Sequence, residues 1–366
     1  MSANHQLRVG IIGIGWYAAL NHVPRFRETG RAEIVAISRR NPDRLALAQR
    51  ELNVPTAYTD WRELLDQAEL DAVVISTPNN LHAQPTIAAL ERGLHVLVEK
   101  PLTLTNQEAQ AMIQAAQKAQ RVLMVGYNSR GMTSWRAVKR VLETGTIGQL
   151  RQINVTCCVD MRLLWQEITV SAGIQGWLQS SELVNAFVGD LLQSDNWHFN
   201  PDASGGGSFV DIGTHVIDLM LWYADAAATE VMALSQPLGD GRASVVTMQA
   251  RLANGITLSL TFNDGVSGGD FNFYGQGRMT VYGDHGLLTA DWQGFMITEA
   301  QEIWVEHDGT REQVTPEGET ITPAAAFVAT VLDDAPNLAP AAVATRTVAL
   351  TEAAYRSIET GSSVGV

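Results

Sequence analysis

Asp211 and His215 stand four residues apart in the segment GGGSFVDIGTHVID, Gly205–Asp218. If that run is helical, both side chains project from one face. A carboxylate beside an imidazole makes a proton-transfer group that works near neutral pH. The three glycines ahead of it let backbone or ligand approach closely. A third candidate, Lys100, ends the apolar run His95-Val-Leu-Val-Glu99-Lys100. A cation closing a buried strand is unfavourable unless it has a partner or a task. Lys100 either pairs with Glu99 or reaches water, or it points into a crevice and touches a reacting oxygen. A lysine, an aspartate and a histidine of this kind suit proton movement at an alcohol or carbonyl oxygen, with the lysine charge stabilising developing alkoxide.

Those residues need a frame, and the first third of the chain supplies one. Apolar runs at Leu7–Ile12, Ala32–Ser38, Asp71–Thr77, His95–Lys100 and Val122–Tyr127 alternate with helical patterns that extend to Thr29 and span Pro42–Leu52, Asp60–Gln67, His82–Arg92 and Thr105–Gln120. Strand–helix alternation implies a parallel, doubly wound sheet, and continuous apolar strands fit a sheet covered on both faces. The first strand enters Gly13-Ile-Gly15-Trp16-Tyr17-Ala18. Gly13 permits a tight turn, Gly15 lets backbone reach a pyrophosphate, Ala18 allows close helix packing, and the helix N-terminus faces the anion. Trp16 and Tyr17 join this turn as candidate cofactor contacts. The second strand ends in Ser38-Arg39-Arg40, with no acid before Asp43. An acid there would hold the ribose hydroxyls of NAD. Arginine suits a 2′-phosphate, so NADP is the expected cofactor, with NAD as the other choice. Further cofactor candidates are Thr77, Pro78, Asn79 and His82 in one strand-end loop and Glu99 with Lys100 in another. Asn79 and its polar neighbours could equally serve as helix caps.

The 366 residues suggest two domains, 1–128 and 129–366. A formal net charge of -14 argues against a nucleic-acid partner and a polybasic membrane anchor. No apolar stretch is long enough to span a membrane, and the N-terminus lacks a signal-peptide core, so a cytoplasmic location is expected. Cys157 and Cys158 are adjacent and form no disulfide framework, and no histidine–carboxylate spacing suggests a metal. In the second domain a helical pattern at Thr133–Glu143 leads to a strand-like Leu150–Asp160. Strand candidates follow at Glu230–Ser235, Arg242–Leu252, Thr257–Phe262, Phe271–Gly275, Arg278–Gly283, Gly286–Trp292, Met296–Thr298 and Ile303–Glu306. Turn dipeptides such as Asn254-Gly255 separate them, which reads as an antiparallel sheet closed by helices Pro323–Leu332 and Ala341–Thr360.

With these motifs assembled, the chain resembles the family of glucose–fructose oxidoreductases, inositol dehydrogenases and MocA-like proteins. The matching pieces are VGIIGIGWYA (Val9–Ala18), STPNNLH (Ser76–His82), VLVEKPL (Val96–Leu102), VGYNSR (Val125–Arg130) and GGGSFVDIGTHVIDL (Gly205–Leu219). The resemblance implies an N-terminal Rossmann domain and a C-terminal α+β domain with a large, mostly antiparallel open sheet. It also implies a tightly bound nicotinamide cofactor and oligomerisation, as a homodimer or homotetramer, through the outer sheet face. It puts the family's lysine on Lys100, which polarises the reacting oxygen, and its aspartate and histidine on Asp211 and His215, the latter moving the proton. Hydride exchange between the cofactor and a secondary alcohol of a sugar or polyol follows. Tyr127, Arg130, Trp165 and His198 join Lys100, Asp211 and His215 as candidate substrate contacts. His198 stands where relatives carry a Trp-Arg pair, within a long stretch, Met161–Ser204, that reads as a substrate-selecting element or a subunit contact. Two other activities fit the same residues: a closed redox cycle that cleaves glycosides around a retained dinucleotide, and a non-catalytic NADP sensor.

Overall fold

The computed structural model describes residues 6–161, 175–176, 179–191, 196–237, 243–265, 274–295 and 297–366. The chain divides into two units. The first comprises Met1–Gly126, Gly173–Ser204 and Thr322–Thr345; the second comprises Tyr127–Ala172, Gly205–Ile321 and Arg346–Val366. Each unit is therefore built from separated stretches of chain rather than from one continuous half.

In the first unit six parallel strands form one sheet in the order β3-β2-β1-β4-β5-β6. They are β1 (Leu7–Ile12), β2 (Ala32–Ser38), β3 (Thr56–Tyr58), β4 (Ala72–Ile75), β5 (His95–Val98) and β6 (Leu123–Val125). Every residue of β4 is buried, as are the last three of β5, because helices cover both sheet faces. The strand order reverses between β1 and β4, and the loops at their carboxyl ends open at that crevice. The helices start where local chemistry directs. Asn41 accepts the Arg44 N–H ahead of helix Pro42–Leu52, whose first residue is a proline. Thr105 accepts the Glu108 N–H at helix Asn106–Ala119. Helix Glu182–Leu191, from the long inserted stretch, packs against helix Pro42–Leu52.

The second unit holds a nine-stranded sheet in the order β14-β13-β12-β11-β7-β10-β9-β8-β15. Its strands are β7 (Leu150–Val159), β8 (Ala228–Pro237), β9 (Ala243–Leu252), β10 (Thr257–Asp264), β11 (Tyr274–Gly283), β12 (Gly286–Phe295), β13 (Glu302–His307), β14 (Thr310–Gln313) and β15 (Val364–Gly365). All neighbours run antiparallel except β7 and β10. Here burial alternates along the strands, as in β10, because one face alone meets the core. The register aligns Ile303, Ala290, Met279, Val155, Leu260, Met248 and Ala233 into one buried row across seven strands. Cys157 is buried and Cys158 half-buried, as opposite faces require, and both are free thiols.

Three details depart from expectation. The strands expected at Phe271–Gly275 and Arg278–Gly283 are a single strand, β11, over its described length. No strand forms at Ile297–Thr298. Strands β3, β14 and β15 carry no clear apolar pattern and lie at sheet edges. Among the described residues no helix is long and apolar enough to cross a membrane.

Candidate active site and cofactor cradle

The first unit carries the glycine turn. Gly13 has φ +90°, and a Cβ there would lie 2.7 Å from the Ser76 carbonyl oxygen and 2.9 Å from Thr77 Cγ2. Only glycine fits. The Gly13 and Ile14 amides donate to the Ser38 carbonyl at 3.0 and 2.9 Å, so buried Ser38 pins the turn to β2 through its backbone. A Cβ at Gly15 would meet nothing nearer than 3.9 Å, so this side of the turn is open to a ligand. The chain then enters a helical turn of the wide, π type at Ala18–His22, a form that recurs at functional sites. Thr77 places a buried Oγ1 with no protein partner next to Gly13. An open glycine turn at a helix start, beside an unsatisfied hydroxyl, fits a dinucleotide pyrophosphate.

The loops flanking this cradle are tied together from beneath. His82 is fully buried, with Nδ1 2.9 Å from the Pro101 carbonyl and Nε2 3.0 Å from the Thr77 carbonyl. Burial lowers its pKa, against the pull of those carbonyls. His82, a candidate cofactor contact, joins the loop after β4 to the loop after β5. Asn79, also buried, donates to the Ser204 carbonyl at 2.9 Å. Pro78 is half-buried beside it.

Lys100 is half-buried and precedes a cis bond to Pro101. The carboxylate of its neighbour, Glu99, is held by two groups. Glu99 Oε1 lies 2.7 Å from Nε2 of His22, and Glu99 Oε2 accepts the Lys100 backbone N–H at 3.2 Å. A Cβ at Gly126 would come within 2.7 Å of Glu99 Oε1, so that glycine makes room for the carboxylate. Tyr17 packs edge-on to His22 with ring centroids 5.4 Å apart, and burial followed by the Glu99 charge pushes its phenol pKa well up. Trp16 meets Tyr17 edge-on in turn. His22 is buried as the partner of Glu99.

The end of β2 holds more than was expected. Arg39 donates from one nitrogen to the Ile14 carbonyl at 2.9 Å and from another to Asp190 Oδ2 at 2.6 Å. Its guanidinium lies over the Phe187 ring at 4.7 Å. Arg44 donates to Asp190 Oδ1 from Nε at 3.2 Å and from its terminal nitrogen at 3.0 Å. Arg40 is exposed. Sequence reasoning found Arg39 but missed Arg44 and Asp190, since nothing in the sequence links positions so far apart.

The second unit carries the histidine motif. Gly205, Gly206 and Gly207 have φ of +84°, +124° and +77°, a path that L side chains resist. Tyr355 donates its hydroxyl to the Gly206 carbonyl at 2.7 Å. A second wide helical turn, Phe209–Gly213, leads into helix Thr214–Ala224. Between Gly207 and Leu221 every residue is buried except Asp211 and His215, which are half-buried. The run thus leaves these two residues alone partly accessible. Tyr127 is buried and stands edge-on to His215 with centroids 5.9 Å apart, its phenol pKa raised by burial and the Asp218 charge.

Arg130, expected to touch substrate, is 2% exposed and forms a two-pronged pair with Asp218, both contacts 2.7 Å. It anchors the turn Asn128–Gly131 to helix Thr214–Ala224. Burial raises the Asp218 pKa against the pull of Arg130. Asp218 was legible only as an acid in an otherwise apolar helix. In the first unit, His198 is 8% exposed, stacks on Trp197 at 3.7 Å and sets Nδ1 2.7 Å from Asn196 Oδ1. Trp165 lies outside the described residues.

Two family profiles match this chain. One, an oxidoreductase family with an NAD-binding Rossmann fold, covers residues 7–127, and the GFO/IDH/MocA C-terminal domain covers residues 135–289. The chain belongs to the GFO/IDH/MocA family. The family members it resembles include levoglucosan dehydrogenase from Pseudarthrobacter phenanthrenivorans, 32% identical over 58% of this chain and 50% of that protein. Myo-inositol 2-dehydrogenase from Thermotoga maritima is 33% identical over 46% of this chain and 50% of that one. The matched part spans about half the length of these curated relatives. The fold also matches an aldose-aldose oxidoreductase from Caulobacter crescentus, with TM-score 0.77 and 21% identity over 99% of this chain and 100% of the other. A levoglucosan dehydrogenase in complex with NADH and L-sorbose aligns with TM-score 0.76 and 22% identity, covering 99% of each chain.

Proposed function

We propose that this chain is an NAD(P)-dependent dehydrogenase or reductase acting on a CH–OH group of a sugar, polyol or related compound. Residues 1–128 would hold the dinucleotide, and residues 129–366 the substrate and the oligomer contact. One observation carries the reading: Asp211 and His215 alone break an otherwise buried run, in a chain whose first unit holds an open glycine cradle. The relatives' names, which include levoglucosan, inositol and D-glucoside dehydrogenases, support the substrate class.

The open turn at Gly15, together with Thr77 Oγ1, holds the pyrophosphate, and Trp16 and Tyr17 border it. Arg39 and Arg44 favour a cofactor with a 2′-phosphate, so NADP(H) is the preferred form. When bound, the nicotinamide exchanges a hydride with the carbon bearing the reacting oxygen. During oxidation His215 takes the hydroxyl proton onto its imidazole, and Asp211 orients that ring. Lys100 holds its ammonium charge against the oxygen as negative charge develops. Glu99, held by His22 and by the Lys100 amide, sets the backbone from which Lys100 projects.

A cytoplasmic homo-oligomer completes the proposal. Leu234, 60% exposed on β8, and Tyr282 on β11 support association through the sheet face opposite the core. The deciding experiment measures cofactor reduction by absorbance, with NADP and NAD separately, against a panel of sugars, polyols and inositols. Turnover with NADP on one group supports the proposal. Silence with both cofactors, despite measured cofactor binding, refutes alcohol oxidation on that panel and points to a closed redox cycle or a sensor.

A further inference from the structure

The Arg39–Arg44 pair holds an internal anion. Asp190 comes from helix Glu182–Leu191, whose side chains reach across to helix Pro42–Leu52 within the first unit. Its two oxygens are divided between the two guanidinium groups, Oδ2 to Arg39 and Oδ1 to Arg44, in three charge-assisted hydrogen bonds of 2.6 to 3.2 Å. Phe187, one helical turn earlier, covers the Arg39 guanidinium. Arg50 and Glu182 add a further ion pair, at 2.9 Å, along the same helix contact. The other Arg39 hydrogen bond goes to the Ile14 carbonyl, inside the glycine turn. Arg39 is therefore registered to the cofactor cradle while the charge of both arginines is already answered.

We infer that Asp190 is an internal competitor for the cofactor's 2′-phosphate, and so a specificity-setting residue carried on an element remote from β2. The inference rests on the proposed use of Arg39 and Arg44. A phosphate approaching these arginines meets a carboxylate that holds the same donors and repels it. A ribose 2′-hydroxyl carries no such charge and can donate to a carboxylate. Asp190 thus narrows the preference for NADP(H) over NAD(H) that two adjacent arginines would otherwise give. It supplies, from helix Glu182–Leu191, the acid missing from the end of β2.

The test is cofactor binding by calorimetry on the full chain, using NADPH, NADH and 2′,5′-ADP against wild type and Asp190→Asn. Juxtaposed like charges cost enough that NADPH and 2′,5′-ADP are expected to bind roughly tenfold or more tightly in the variant, with NADH within about threefold of wild type. Unchanged or weaker NADPH binding, or an equal gain for NADH, overturns the inference. If wild type prefers NADH yet the variant gains NADPH affinity, the competitor role stands and the NADP(H) preference falls. If Asp190→Asn does not melt cooperatively, hydrogen exchange on wild type decides. Amides of Glu182–Leu191 should exchange faster with saturating NADPH than with saturating NADH, and equal protection overturns the idea.

Discussion

At the scale of residues, all three candidate catalytic positions, Lys100, Asp211 and His215, are half-buried among fixed neighbours. His215 is half-buried while its helix neighbours, apolar Val216 and Ile217 as well as polar Thr214 and Asp218, are fully buried. Beside Lys100, the Glu99 carboxylate is held by His22 and by the Lys100 backbone N–H. That arrangement makes separable predictions. Lys100→Ala and His215→Ala should each lower turnover by about 10²–10⁴-fold with cofactor binding retained, read as kcat beside a cofactor Kd. Turnover near wild type in either variant removes that residue from the mechanism. Gly126→Ala tests the supporting layer, since its methyl group displaces the Glu99 carboxylate. It should lower kcat while leaving KM and the fold largely intact, and an unchanged kcat would mean that the Glu99 position is immaterial. Lys100, Asp211 and His215 were legible as chemistry because their types are unusual for their apolar surroundings. His22 was not legible, because a histidine in a helix gives no sign of its partner.

At the scale of elements, buried polar pairs bind loops to helices. Breaking the Arg130–Asp218 pair with Arg130→Ala strands a buried carboxylate, and should cost roughly 3–5 kcal/mol in urea unfolding. The double change Arg130→Met with Asp218→Leu should recover most of that loss, because the charge and its partner leave together. A double variant as unstable as the single one would show that the pair contributes more than mutual neutralisation. His82 makes a pH-dependent contribution. Its folded pKa lies below the ordinary 6.5, so the unfolded chain binds the extra proton. Stability from this group is complete above about pH 6.5 and is lost as pH falls toward the depressed folded value. The urea midpoint should therefore drop between about pH 7 and pH 5, and drop less in His82→Gln. Equal slopes would exclude His82 as the cause. Most elements were legible, since parallel strands read as apolar runs and capped helices announce their starts. The split reading of β11 came from Gly275 and Gly277. In the sheet Gly277 breaks nothing; the Trp292 ring of β12 occupies the space a side chain would need.

At the scale of the whole molecule, cofactor binding should report on the first unit. A ligand at about 100 times its Kd adds about 2.7 kcal/mol to the folded state, enough to raise Tm by several degrees. NADPH should give the larger shift at equal concentration, and a larger shift with NADH would defeat the 2′-phosphate assignment of Arg39 and Arg44. The sequence by itself determined the strand–helix alternation, the glycine turn, the alternating pattern of the large sheet and the types of the reacting groups. Each of those rests on local periodicity, local backbone freedom or the cost of burying a polar side chain, and all three act within a few residues. Tertiary structure alone decided which polar groups were spent on one another. His22 with Glu99, His82 with the Pro101 carbonyl, Arg130 with Asp218 and Asp190 with two arginines all join residues well separated in the chain. Coulombic attraction and hydrogen bonding depend on distance in space, and only the folded chain sets those distances.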